Sequence, residues 1–461
     1  MNPIGPVFFM YLGVMGLLFQ RRTQWLSRFG VFTVLLGGLL VAYGVAVPFS
    51  DAANPTFTHV AISPERLADY YVAVFITYAG IYLGVWTLDL MRTRRERPHT
   101  GTIVSTKVLA VAAGLITVVV VIAWIVVPWS DFVDGISSFI PGHTAADYHL
   151  HRAQYGIDTT GTTSGFNYLG GFTRFALAPV ALWILFFHRK RSRLLNAMFW
   201  LLLAVLLVIG LLSGQKQPAL LLLVGFAVAL LIQRGRPSIL SWRLAVAALA
   251  ILFVIAPVLF LVQYPTLDYS VALQSTLYRL TGEPSRVAQL RFIFYPDIHP
   301  YQNGLSSYIL RSFASLLGID TSSAASPETY IPASSPGILP TNTTSWNAGF
   351  FADAWADFGF VGVAAASFMV GFLVRAIDRW YAASGKGAVE MGVYTAVCIS
   401  AFYMSEVGTL TALWTYGLGS AFLLYWLLRL LSPKRKPVDK FVALNKRAPI
   451  RVAFAQKPPA G

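Results

Sequence analysis

Apolar residues along this chain gather into long runs joined by polar connections. The runs fall at 4–20, 29–50, 70–90, 108–128, 167–187, 194–213, 218–233, 244–263, 348–374, 388–404 and 408–431. Each is close to the ~20 residues that a helix needs to cross a bilayer core. The pattern predicts an all-α, polytopic integral membrane protein with about 11 transmembrane helices.

Charge then orients the predicted helices. Alternate connections hold 27 of the 35 Lys and Arg residues, from Arg21 and Arg22 to the tail after Arg429. The opposite set holds 8, together with 15 of the 20 acids. Lys and Arg mark the cytoplasmic side, which sets the N-terminus outside and the C-terminus inside. The first run has no cationic segment before it and two arginines after it, as in a reversed signal anchor rather than a cleaved signal peptide. Apolar residues make up 56% of the chain and charged residues 12%, against about 45–50% and 25% in soluble domains. The net charge of +15 therefore points to the anionic inner leaflet, not to nucleic acid. With Cys398 as the only cysteine, no internal disulfide forms. Metal-ligand spacings, phosphate-binding loops and dinucleotide fingerprints are not found.

The chain divides into 1–263 (eight spans), 264–347 (a large outer loop), 348–431 (three spans) and a basic tail, 432–461. Two outer connections are long, 129–166 and 264–347, and loops of that length are usually functional or disordered. The work of the protein is therefore expected to face outward. In the larger loop, apolar residues recur at helical spacing over 270–295, interrupted by Gly282 and Pro284. This predicts two short helices or one kinked one. A further amphipathic helix is predicted over 305–318, ending at Gly318. Residues 319–346, rich in Ser, Thr and Pro, read as a lid or mobile loop.

Several residues are candidates for chemistry. Arg279, Arg286 and Arg291 cluster in the large loop, on a side poor in cations. On a continuous helix Arg279 and Arg286 share a face, and guanidinium suits phosphate. A snorkelling helix, or pairing with Glu283 and Asp297, accounts for the same cluster. Arg174 sits inside the fifth predicted span, where a cation needs a partner or a function. Lys216 lies in a tight hairpin before Pro218, beside a helix start that favours anions. Asp353 and Asp357 are spaced i, i+4 and share a helix face. Gly349, Ala352, Ala356, Gly359 and Gly362 mark close packing there. In the smaller loop His149 and His151 form an H-x-H pair. They are candidates for a general base, while a third zinc ligand is not evident. Flat rings such as Trp129, Tyr278 and Trp346 suit either sugar stacking or an interfacial belt.

Three segments carry a family resemblance: SGQKQPALLLLVGF, YRLTGEPSRVAQL and NTTSWNAGFFADAWADFGFVGVAAASFMVGFLVRAIDRWY. Together with the number of spans and the late outer loop, they resemble the Wzy-type oligosaccharide repeat-unit (O-antigen) polymerases, most nearly those of enterobacterial common antigen. Lys216 stands where that family usually has arginine. The resemblance implies a bacterial inner-membrane glycosyltransferase acting on undecaprenyl-diphosphate-linked oligosaccharides, without cofactor or metal. A chain-length regulator, a flippase and membrane lipids are its implied partners. It assigns Arg174, Lys216, Arg279 and Arg286, with Arg291 nearby, to the diphosphate. The base stays open among Glu283, His149, His151, Asp353 and Asp357. An O-antigen ligase would share the donor site and differ in acceptor, and a lipid-linked glycan transporter or flippase would need a path open to both faces.

Overall fold

A computed structural model describes residues 30–44, 63–91, 102, 104–125, 176–212, 216–234, 250–255, 257–258, 261, 268–277, 283–306, 310, 314–315, 317–320, 348–406, 412–413 and 417–432. Among these residues there are helices and turns and no strands. The helices are α1 (Val31–Leu39), α2 (Pro64–Leu90), α3 (Thr106–Ile125), α4 (Ala178–His188), α5 (Arg193–Leu212), α6 (Lys216–Arg234), α7 (Tyr269–Leu277), α8 (Glu283–Phe294), α9 (Phe350–Ala383), α10 (Ala388–Met404) and α11 (Leu418–Leu430). Two of them, over Glu65–Leu90 and Phe350–Ala383, are long and apolar enough to cross a membrane. The first predicted run, the connection 129–166 and nearly all of the tail lie outside the described residues.

Local chemistry explains where the helices start and stop. Ser63 caps α2 by accepting a hydrogen bond from Arg66 N at 3.3 Å, with Pro64 and Glu65 in the first turn. This is a strong helix start, and it carries the helix outward past the apolar run at 70–90. The predicted helix end at Gly318 is a Schellman turn. Ile319 N donates to Ala314 O at 2.9 Å and Gly318 N to Ser315 O at 3.0 Å, with Gly318 at φ 75° as that motif requires.

The tightest joint is between α2 and α9. Gly80 meets Ser367, Gly84 meets the backbone of Phe368 and Phe372, and Gly371 meets that of Ile81. A Cβ on Gly84 would stand 2.1 Å from Phe368 O, and one on Gly371 would stand 2.1 Å from Ile81 O. The two backbones touch, as small-xxx-small crossings allow. Elsewhere α10 packs against α1, α4, α6 and α11, while α5 packs against α3, α4 and α6.

Ion pairs and caps fasten the ends. Asp89 of α2 accepts from Arg375 Nε at 2.7 Å and Arg379 Nη2 at 3.2 Å. Asp378 accepts from Val31 N at 2.9 Å and Phe32 N at 3.3 Å, and also from Tyr394 Oη. It thus caps α1, whose own N-cap residue, Gly30, has no side chain for the task. Glu390 Oε1 accepts from Thr102 N at 2.7 Å.

Gly84→Ala and Gly371→Ala should each destabilise the protein by about 1–3 kcal/mol through overpacking. Gly114→Ala meets nothing within 4 Å and should be neutral or stabilising by about 0.5–1 kcal/mol. Thermal unfolding of the three variants in one detergent checks this, and equal midpoints would show that the α2–α9 crossing is not close.

Candidate functional site

The large-loop segment 270–295 folds as two separate described helices, α7 and α8. Helix α8 is not a surface helix. Every residue from 284 to 292 is buried, on all faces, against α2, α9 and the π-helical turn Leu40–Gly44 that continues α1. An amphipathic helix would leave its polar residues in water. Here Ser285, Arg286, Gln289 and Arg291 are buried with the rest; neighbouring helices supply polar partners to Ser285 and Arg291, and Arg286 and Gln289 bond within α8.

Those partners define the site. Tyr70 Oη and Ser285 Oγ are 2.8 Å apart. Gln289 Oε1 accepts from Arg286 Nη1 at 3.4 Å, and Gln289 Nε2 donates to Ser285 Oγ at 3.5 Å. Arg291, fully buried, donates through Nε to Asp353 Oδ1 at 3.0 Å. Nearby, Tyr43 accepts from Gly349 N at 2.5 Å, and its ring meets Phe351 edge-on. Phe292 stacks on Trp355 with centroids 4.3 Å apart, and Trp355 Nε1 donates to Tyr295 O at 3.0 Å. Beyond α8, Asp297 accepts from Arg66 Nε at 2.7 Å, and Arg66 also reaches Asp69 at 2.8 Å. Tyr301 lies next in the chain, and burial pushes its phenol up from the usual tyrosine range.

The Asp-Phe-Gly segment is where α9 breaks. Phe358 has φ −143° and ψ 17°, and Gly359 has φ 58° and ψ −143°. Gly359 is therefore a backbone break rather than the packing residue expected, and a Cβ there would also stand 3.0 Å from Tyr301 Oη. The break frees carbonyls that would otherwise bond within the helix. Gln302 N donates to Ala356 O at 2.9 Å and Asn303 N to Asp357 O at 3.2 Å. The Asp357 carboxylate accepts from Gly304 N at 3.0 Å, Ser306 N at 2.9 Å and Ser306 Oγ at 2.6 Å. Residues 302–306 thus dock into the break. Asn303 and Gly304 both have positive φ, and Leu305 N donates to Gln302 O at 3.0 Å, closing a type I′ turn. That turn replaces the first residues of the helix predicted over 305–318.

The structure separates the candidate residues. Arg286, Arg291, Asp353 and Asp357 come together around α8 and the first part of α9. Arg291 and Asp353 hold each other, and Asp357 holds the 302–306 turn, so all three fasten the loop to the helices. The sequence assigns Arg291 to the diphosphate and offers either aspartate as the base; in the structure each makes a contact that fastens the loop. Lys216 and Glu283 are the first residues of α6 and α8, so Lys216 opens its helix instead of preceding it. Arg174, Arg279, His149 and His151 lie outside the described residues. Sequence reading missed Tyr43, Tyr70, Ser285 and Gln289, which carry no motif. The Asn303-Gly304 turn did have a signal, since that dipeptide is a strong tight-turn marker. Among the described residues, no group of three His, Cys, Asp or Glu is placed to hold a metal ion.

Compared with protein-family models, curated proteins and solved structures, the chain matches none of them.

Arg291→Ala should cost about 3–5 kcal/mol of stability, because it removes the ion pair from a largely buried carboxylate. Replacing both partners, Arg291→Met with Asp353→Leu, should cost much less. Thermal midpoints of the single and double variants decide, and equal losses would show that the two do not act as a pair.

Proposed function

We propose that this chain is a multi-pass inner-membrane glycosyltransferase that polymerises undecaprenyl-diphosphate-linked oligosaccharide repeat units on the outer face of the membrane. The observation that carries this reading is α8. A helix from the longest outer connection is sunk among α2, α9 and the Leu40–Gly44 turn with its arginines inside. A charge buried this way is costly, and enzymes meet that cost where negative charge must be received. The proposed topology has 11 spans, N-terminus outside and C-terminus inside. It gains support from the ion pairs, since each described pair joins two residues assigned to the same side: Arg66 with Asp69 and Asp297, Arg291 with Asp353, and Asp89 with Arg375 and Arg379.

The reaction follows from the chemistry of the groups. A hydroxyl at the non-reducing end of an incoming repeat unit attacks the anomeric carbon of the growing chain. A new glycosidic C–O bond forms, the C–O bond to the lipid diphosphate breaks, and undecaprenyl diphosphate leaves with the electron pair. Arg286 and Arg279, with Arg174 and Lys216, neutralise the leaving charge, so a metal is not needed. The hydroxyl proton passes to a base. That base is one of Glu283, His149, His151, Asp353 and Asp357, of which the two aspartates also fasten the loop. The Arg291–Asp353 pair keeps α8 in register with α9.

The topology is tested by labelling. In a Cys398→Ser background, a cysteine at Ser322 should react with an impermeant thiol reagent in intact cells, and one at Lys436 only after lysis. The reverse pattern would sink the whole functional reading.

The activity is tested by incubating purified protein with one defined lipid-linked repeat unit and resolving the products. A ladder is expected. Arg279→Ala and Arg286→Ala should each lose roughly tenfold or more in turnover, each hydrogen bond to a charged group being worth ~1.5–3 kcal/mol. Lys216→Arg should retain more activity than Lys216→Ala, and EDTA should leave the wild-type rate unchanged. A single transfer without a ladder would indicate a ligase instead. Full activity in both arginine variants, or an EDTA loss restored by a divalent ion, would refute the diphosphate assignment.

A further inference from the structure

We propose that the turn between α4 and α5 is a binding site for the phosphate headgroup of an anionic phospholipid in the cytoplasmic leaflet. This rests on the proposed membrane topology, which places the turn at the inner face. The turn is Arg189–Arg191 in 3-10 conformation, followed by Ser192 and by Arg193 at the start of α5. Lys190, Arg191 and Arg193 are exposed, and no ion pair among the described residues reaches any of them. Arg189 is held differently: its guanidinium lies 4.2 Å from the Phe186 ring centroid and 5.3 Å from that of Phe199. It braces the turn against the helix pair. The buried carboxylate on this side, Glu390, accepts from Thr102 N through Oε1.

Three cations are thus left in water within four residues, on a conformation fixed by a packed arginine. Like charges so close repel one another, and an anion between them relieves that repulsion. What makes the anion a lipid is the surface that follows. Leu194, Trp200, Leu201 and Val208 of α5 are exposed, Trp200 at 55%. Leu194, Leu201 and Val208 follow one another at about two-turn intervals below the cations, where acyl chains would run. Basic clusters beside membrane helices on the cytoplasmic side are suited to anionic headgroups, each cation being attracted separately.

Trp200 sits where it can report the lipid beside it. Its fluorescence is isolated as the difference between wild type and Trp200→Phe, in vesicles of brominated phosphatidylcholine or brominated phosphatidylglycerol mixed with unbrominated phosphatidylcholine. We expect phosphatidylglycerol to occupy the site about fivefold more readily than phosphatidylcholine. The preference should fall to near unity in a Lys190→Gln, Arg191→Gln, Arg193→Gln variant. It should persist when the same positions carry Arg, Lys and Lys, and weaken at high salt. Inorganic phosphate at millimolar concentration should not abolish it; loss of the preference on adding phosphate would assign the site to free phosphate and overturn the lipid assignment. Quenching without headgroup preference in the wild type would also overturn the proposal, while leaving the membrane topology standing. Absence of quenching by any brominated lipid would refute the topology itself. If the glutamine variant fails to insert, the salt dependence and the charge-retaining variant decide.

Discussion

The backbone contact between α2 and α9 sets the geometry on which the site depends. Where Gly84 meets the backbone of Phe368 and Gly371 that of Ile81, no side chain separates the helices, so their distance is fixed by main-chain atoms. Two crossing helices that touch at one level diverge from it in both directions. At one end the gap admits α8, which packs against both. At the other end it is spanned by long side chains, Arg375 and Arg379 reaching Asp89. Small residues at the crossing and large ones at the ends are two consequences of the same geometry.

The break in α9 depends on that arrangement too. A helix interrupted at Phe358 and Gly359 exposes carbonyl groups that need donors. The chain provides them from residues that follow α8, so the segment that brings Arg286 and Arg291 into the interior also heals the broken helix. Asp357 joins the two tasks, because its backbone accepts from Asn303 and its carboxylate from Gly304 and Ser306. Losing the Arg291–Asp353 pair therefore bears on more than one contact. It loosens α8, and with α8 the turn that satisfies the break.

Much of this was legible in the sequence, and the limits have physical causes. Among the described residues, helices lie on the apolar runs at 70–90, 108–128, 194–213, 218–233, 348–374 and 388–404, because helix length and burial follow directly from local composition. The stop at Gly318 was equally readable, since a left-handed residue is a local requirement. The interruption at Gly282–Pro284 falls at the described start of α8, with Pro284 in its first turn. The fate of α8 was not readable. Its arginines look alike in sequence, yet Arg291 meets a carboxylate 62 positions later, while Arg286 lies beside Gln289 on its own helix. Nothing local distinguishes them. The same holds for Gly359, where a packing glycine and a break glycine have one sequence appearance, and for Tyr43, whose partner is 306 positions away.

On the proposed topology, the two faces of the protein handle cations differently, and supply explains why. Outside, 8 cations meet 15 acids, so a carboxylate is available to each, and Arg66 and Arg291 are found paired. An arginine there can be drawn into the interior at tolerable cost, because its partner goes with it. Inside, 27 cations face 5 acids. Asp89 already serves two arginines, and Asp378 and Glu390 are engaged by backbone N–H groups. Most inner cations must then be neutralised from outside the chain. Ions in bulk water do this weakly and without fixed geometry, whereas a leaflet of anionic headgroups does it at the depth where the helices end. The asymmetry that orients the chain in a membrane thus also leaves its inner face dependent on lipid, and its outer face free to commit arginines to a site.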